Sequence, residues 1–169
     1  MQTDYKHRHD QVAAIIHQYL AFKHKFVNTQ IPYYKYQPEA ILEDQGRRIY
    51  WDRTIITDKT IHYNRPDITF LDKNNKSVFL IDIAVCNTHN LQTTYSEKLA
   101  KYLEIETKTQ WRVTTVRIVP IIISTTGVIP RTLHTSLYTL NIPSPTYKLL
   151  QKAVILNTCR IVKKFLSIE

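Results

Sequence analysis

The stretch NRPDITFLDKNNKSVFLIDIAV, residues 64–85, decides the fold because it contains two apolar segments joined by a polar turn. The segments near 67–72 and 77–85 are rich in Ile, Val, Phe and Leu, the composition that strands favour. The intervening DKNNK supplies the Asp and Asn side chains that are typical of tight turns. The sequence therefore predicts a β-hairpin at about 66–85.

Two aspartates stand in these apolar strands. Asp67 follows Pro66 where the first strand begins, and Asp82 lies in the second strand after 14 intervening residues. A hairpin brings such positions to one end of the sheet, where buried carboxylates need a partner or a metal ion. Two carboxylates, with the backbone carbonyl of Ile83 as a third ligand, suit Mg²⁺, or Mn²⁺ as its substitute. Either aspartate could instead be a turn or cap residue, and the pair alone does not distinguish these interpretations.

A cation near the scissile phosphate assists metal-dependent cleavage, so a lysine is expected beside the acids. The position two residues after Asp82 lies on the same strand face, but it is occupied by Ala84. The amphipathic helix predicted at about 92–108 carries YSEKLAKY, in which Lys98 shares a helix face with Tyr95 and Tyr102. Lys98 is therefore the candidate catalytic lysine, and a solvent-exposed helix lysine is the alternative.

Lys101, in the same helix, has a simpler explanation. It follows Glu97 by four residues, in the order that favours an intrahelical salt bridge.

The rest of the chain predicts one α/β domain over residues 1–169, with a mixed central sheet flanked by helices. Pro120 indicates an edge position or a bulge in the strand that contains it. Ser144 is expected to cap the last helix, which carries an apolar stripe of Ile155, Cys159, Val162 and Leu166. The other predicted elements are a helix at about 9–24, two short strands around Gln45–Gly46, a strand at 115–124 and a helix at about 145–167.

Composition narrows the function classes. The 169-residue chain has a net charge of +9, which favours a polyanionic partner, with DNA as the first candidate and RNA as the second. Two glycines exclude the Gly-rich loops of nucleotide-binding folds. The isolated Cys86 and Cys159 indicate a reducing compartment, and no signal peptide or membrane span is expected, so we predict a nuclear or cytoplasmic protein. Trp51 and Trp111 are predicted core aromatics.

The run NRPDITFLDKNNKSVFLIDIAV, followed by EKLAKY, resembles the restriction-like endonuclease domain of site-specific non-LTR retrotransposons, a branch of the PD-(D/E)xK nuclease superfamily. Nearly the whole chain is similar to the C-terminal segments of retrotransposon-derived reverse-transcriptase-like proteins. The family pattern is an Arg/Lys-His-Asp/Asn triplet, a Pro-Asp, a second Asp after 12 to 14 residues, and a lysine shifted onto the next helix. Its counterparts here are Arg8-His9-Asp10, Pro66-Asp67, Asp82 and Lys98.

The resemblance implies a PD-(D/E)xK fold and a Mg²⁺-dependent endonuclease that nicks target DNA for target-primed reverse transcription, with the parent element's reverse transcriptase acting in cis. The family's Cys/His zinc knuckle and its reverse transcriptase have no counterpart in this chain. A catalytically inactive, basic nucleic-acid-binding remnant or domesticated module remains the alternative, as does a nuclease that prefers branched DNA. The residues expected near the acids or the DNA are Arg8, His9, Asp10, Arg65, Tyr95, Glu97, Lys101 and Tyr102.

Overall fold

A computed structural model describes residues 2–56, 63–102 and 113–167. Within these ranges one helix precedes four consecutive strands, and a helix, a fifth strand and two further helices follow. The elements are α1 (Gln2–Lys23), β1 (Ile41–Glu43), β2 (Arg47–Trp51), β3 (Ile68–Asp72), β4 (Ser77–Cys86), α2 (Leu91–Lys101), β5 (Thr115–Ser124), α3 (Arg131–Thr139) and α4 (Tyr147–Leu166).

The five strands form one mixed sheet in the order β1-β2-β3-β4-β5. Strands β1 to β4 pair antiparallel as successive hairpins, whereas β5 pairs parallel with β4. The predicted hairpin is confirmed, with Asp72 paired to Ser77 across its turn. Pro120 lies in β5, an edge strand, as predicted, where its missing N–H leaves the rest of the sheet intact.

Strand alternation divides the core between the two faces of the sheet. One face carries Ile81, Ile83 and Ile121 against the buried sides of α1, α3 and α4. The other face carries Val78 and Leu80, which pack with the smaller cluster around Tyr102 at the end of α2. Because side chains alternate along a strand, Asp82 lies on the same face as Leu80 and therefore faces α2.

The predicted fold class is confirmed at the level of a mixed sheet flanked by helices, but two helix predictions need correction. Helix α1 begins at Gln2, seven residues earlier than the predicted start, because its first two turns are polar and their periodicity is weak. The triplet at 8–10 therefore lies inside the helix, and Asp10 is not at its N-terminus. Helix α3 was not predicted, because in only nine residues it buries just Leu133, Ser136 and Leu137. The predicted continuation of α2 to 108 lies outside the described residues.

The apolar stripe predicted for the last helix does not face the core. Ile155 and Cys159 are exposed on α4, as are Val162 and Leu166. The buried side is instead a second apolar stripe, in which Ala153 lets the helix approach closely and Asn157 donates a hydrogen bond to Gln11 of α1 at 2.6 Å. The buried residues of α4 are Leu150, Ala153, Val154, Asn157 and Ile161.

The predicted cap of this helix is also wrong. Ser144 lies in a short 3₁₀ turn before α4, and its hydroxyl contacts His134 at 3.0 Å. The backbone of the turn leads directly into α4 at Tyr147, so the helix begins without a side-chain cap.

A buried histidine in α1 makes stability sensitive to acid. The side chain of His17 is fully buried, with Nδ1 2.7 Å from the hydroxyl of Tyr36. Burial lowers the pKa of His17 from 6.5 to about 4. Because the unfolded chain then binds the proton more readily, the stabilisation is present above pH 6.5 and is lost as pH falls towards 4.

We therefore expect His17→Gln to flatten the pH dependence of the free energy of unfolding between pH 7 and 4, by up to about 3 kcal/mol. Urea unfolding at several pH values measures this. His7→Gln is the matched control, because His7 is exposed on the same helix. Equal pH slopes for the unmutated protein and His17→Gln would contradict the expectation.

Candidate active site

The two aspartates meet at one end of the β3–β4 hairpin. Ile68 pairs with Ile81, so one step further along the register places Asp67 opposite Asp82. Asp67 Oδ2 accepts a hydrogen bond from the backbone N–H of Ile83 at 2.6 Å, which fixes this carboxylate across the strand end. The Asp67 side chain is 18% exposed and that of Asp82 only 4%. The pair is thus partly accessible from the Asp67 side and enclosed on the Asp82 side.

Helix α2 brings lysines to the enclosed carboxylate. Lys98 Nζ lies 2.7 Å from Asp82 Oδ2, and Lys101 Nζ lies 3.5 Å from the same oxygen. The lysine chosen from the sequence therefore stands beside the acid that it was expected to serve. The salt-bridge explanation for Lys101 is corrected: its ammonium turns to Asp82 and lies over the rings of Tyr63 and Tyr102.

Helix α1 contributes a histidine from the other side of the sheet. His9 Nε2 lies 3.2 Å from Asp67 Oδ2, while its Nδ1 lies 3.1 Å from Asp10. Lys6 Nζ in turn donates to Asp10 at 2.5 Å. A series of contacts between polar and charged side chains therefore runs along α1 from Lys6 and ends at Asp67.

The triplet does not act as a unit in this geometry. Arg8 points away from the acids, is buried, and donates a hydrogen bond to Thr158 of α4 at 3.0 Å. Its guanidinium also lies 5.3 Å from the centre of the Tyr5 ring. Arg8 thus holds α1 against α4, whereas His9 and Asp10 lie near Asp67.

Burial and neighbouring charges shift the pKa values of the two aspartates in opposite directions. Burial raises the pKa of Asp82, and the neighbouring negative charge of Asp67 raises it further, against the opposing effect of Lys98. For Asp67, burial also raises the pKa, but the contacts with His9 and the Ile83 N–H outweigh it, so its pKa is lowered. The two carboxyls share one environment and titrate as a pair.

His9 is held in its charged form by the same contacts. Burial lowers its pKa, but the bonds to Asp67 and Asp10 outweigh burial and raise the pKa from 6.5 to about 9. His9 is therefore an imidazolium at neutral pH, and it acts as a hydrogen-bond donor to Asp67 rather than as a base. The pKa of Tyr102 is raised, by burial and by the nearby acids, so its hydroxyl stays protonated.

The donor set fits a hydrated divalent cation. Asp82 Oδ2 is buried, and no described residue donates to it a hydrogen bond of acceptable angle, although Lys98 lies at ion-pair distance. Because the N–H and C=O of a strand residue point to the same side, the Ile83 carbonyl faces the edge where its N–H meets Asp67. Among the described residues no three His, Cys, Asp or Glu side chains form a metal-binding group. Two carboxylates and one carbonyl would leave the remaining positions to water and phosphate, the arrangement that Mg²⁺ prefers.

The other expected residues divide into two groups. Tyr102 donates a hydrogen bond to the Arg65 carbonyl at 3.2 Å and so holds the segment that precedes Asp67. Arg65 forms a two-pronged ion pair with Asp52, at 2.8 and 3.0 Å. Tyr95 is half-buried and Glu97 is exposed, and within the described ranges no hydrogen bond or ion pair joins either one to the acids.

A cleft of about 400 Å³ opens beside Asp67. The sequence did not predict three of its polar or aromatic lining residues as site residues, namely Lys6, Trp51 and Asp52. Trp51 packs against the core as predicted, but it also lines this cleft, while Trp111 lies outside the described residues. Of the three, Lys6 carried a signal, since it precedes Asp10 by one helical turn. The lining residues are Lys6, His9, Asp10, Ala13, Trp51, Asp52, Arg65 and Asp67.

A scan against models of protein families found no match to this chain, and a search of curated protein sequences found none either. Among the helices of the described residues, none is long and apolar enough to cross a membrane.

The two lysines on Asp82 should compensate for one another. Removing one cation leaves the other near the buried carboxylate, so we expect Lys98→Met or Lys101→Met alone to cost about 1 kcal/mol. The double variant should cost about 3–5 kcal/mol, because it leaves the buried charge unpaired. A double-mutant cycle by urea unfolding at pH 8 measures the coupling. Strict additivity would mean that the two lysines do not share Asp82.

Proposed function

We propose that this chain is a Mg²⁺-dependent endodeoxyribonuclease domain of the PD-(D/E)xK type, related to the endonucleases of non-LTR retrotransposons. One observation carries the proposal: a lysine from the helix after the hairpin lies 2.7 Å from Asp82, the second of two aspartates that face each other across β3 and β4. These residues were selected in the sequence from their spacing, from the helix face of Lys98 and from the family resemblance. The two carboxylates and the lysine ammonium therefore lie together at the position that we propose for the phosphodiester.

The proposed roles follow from the contacts. Asp67 and Asp82 would hold the metal ion with the Ile83 carbonyl. A bound Mg²⁺ would polarise the phosphodiester and lower the pKa of a water molecule. Lys98 stands where it can stabilise the negative charge that develops on the phosphate oxygens. His9, as a donor to Asp67, orients that carboxylate and keeps it ionised.

In the proposed reaction a water oxygen forms a bond to phosphorus while the bond from phosphorus to the 3′-oxygen breaks. The water proton passes to solvent, the 3′-oxygen takes up a proton, and the products are a 5′-phosphate and a 3′-hydroxyl. Such a 3′-hydroxyl is the primer that target-primed reverse transcription requires, which agrees with the resemblance. The net charge of +9 supports a polyanionic substrate.

Nicking of supercoiled plasmid tests the proposal. The purified chain should convert the supercoiled form to the open circle with Mg²⁺ or Mn²⁺ and not with a chelator. We expect Asp67→Asn, Asp82→Asn and Lys98→Ala each to lower the nicking rate at least 100-fold, because each removes charge from the transition state. Lys148→Ala is the matched control, since Lys148 is exposed on α4, and it should retain the rate.

Two results would contradict the proposal. One is no nicking by a folded protein that binds DNA, and the other is equal nicking by Asp82→Asn, which would indicate a contaminant. A folded, inactive protein whose DNA affinity falls steeply with salt would favour the nucleic-acid-binding module. An affinity that is weak and independent of salt would exclude both functions.

A further inference from the structure

The cleft beside Asp67 is larger than a phosphate contact requires. Its volume of about 400 Å³ lies in the range of pockets that enclose small organic ligands. Asp67, one of the two proposed metal ligands, forms part of its wall, whereas Asp82 lies deeper under α2. A group in the cleft would therefore lie next to the phosphate on which the proposed reaction takes place.

The charges of the wall are already matched. Lys6 pairs with Asp10 and Arg65 pairs with Asp52, both at hydrogen-bond distance. His9 lies between Asp10 and Asp67, with one ring nitrogen near each carboxylate. The wall is therefore polar, and its lysine and its arginine are each already paired with a carboxylate. Such a wall offers donors and acceptors to a neutral polar group and little attraction to a second phosphate.

Trp51 gives the cleft an aromatic surface that the surrounding core holds in place. Its ring meets the ring of the buried His17 edge-on, with centroids 5.6 Å apart. Ala13, which also lines the cleft, adds almost no side-chain bulk. An aromatic side chain packed against the core, beside hydrogen-bond donors and acceptors, is the combination that binds a nucleobase, by stacking on its face and hydrogen bonding at its edge.

We propose that this cleft binds the nucleobase of one unpaired nucleotide adjacent to the scissile phosphate. The inference rests on the proposed function for the position of that phosphate. A base in a continuous duplex is stacked and paired, and it cannot enter a concave site without leaving the helix, which costs a few kcal/mol. The substrate class is therefore DNA with an unpaired nucleotide at the cleavage position, and fully paired duplex is bound less tightly.

Fluorescence of Trp51 tests base binding without altering the cleft. Trp111→Phe leaves Trp51 as the sole tryptophan of a chain that has two. In an Asp82→Asn background with Mg²⁺, a duplex with a single-nucleotide bulge should quench this fluorescence. The same duplex with an abasic bulge, or fully paired, should not. Bulged DNA that binds without quenching would overturn the proposal.

Affinity provides the second measurement. By fluorescence anisotropy, we expect bulged DNA to bind about tenfold more tightly than paired duplex, and Trp51→Leu to remove that preference. Trp51→Phe should retain most of it, because a ring remains. Tyr138→Leu is the matched control, since Tyr138 is 81% exposed on α3 and outside the cleft. Equal affinities of the Trp111→Phe protein for bulged and paired DNA would overturn the proposal.

The two proposals can fail separately. Nicking of paired plasmid, with no quenching by bulged DNA, would refute the base-binding cleft and leave the nuclease. Quenching by bulged DNA would support the cleft, and the nuclease would be refuted if the protein with Asp82 intact cuts neither the plasmid nor the bulged duplex.

Discussion

The structure depends on the compensation of the buried Asp82 carboxylate by the ammonium groups of Lys98 and Lys101. A carboxylate that is almost fully enclosed in the middle of the sheet face beneath α2 is unfavourable unless a cation or a metal ion accompanies it. This requirement determines how α2 must lie, because its lysines have to reach the strand. Lys98 and Lys101 are three residues apart and so project from one side of the helix towards the same oxygen. Burial of Tyr102 at the helix end then fixes the helix on the apolar residues around Asp82.

Asp67 connects the same site to the opposite layer. It stands immediately before β3, where its carboxylate contacts both the backbone of β4 and His9 of α1. The Ile83 N–H holds one of its oxygens, and His9 contacts that same oxygen from α1. Arg8, the neighbour of His9, secures that helix to α4. The site therefore forms where both helical layers and the central hairpin meet, and it requires the correct packing of all three.

The sequence predicted those parts of the structure in which the local residue pattern also determines which side chains are buried. The hairpin was predictable because its apolar strands and its Asp/Asn turn allow one register, and that register placed Asp67 opposite Asp82. Lys98 was predictable from the helix face on which it lies. Lys101 was instead predicted to form a salt bridge with Glu97, because the sequence shows which residues are neighbours along a helix and does not show that a carboxylate of a strand lies close by. The last helix has two apolar stripes, and hydrophobic periodicity did not distinguish the exposed stripe from the buried one. The buried stripe carries Leu150, Val154 and Ile161 together with Asn157, whose hydrogen bond to Gln11 of α1 is not visible in the sequence.

A cation on each acid has a consequence for the proposed chemistry. In the proposed nuclease, Asp82 would have to share its carboxylate between Lys98 and a divalent ion. Replacement of the lysine by the ion would keep the buried charge compensated and would leave the lysine able to contact the phosphate. Lys101, which lies 3.5 Å from Asp82, would lower the cost of that replacement, because it would stay near the carboxylate when Lys98 moves.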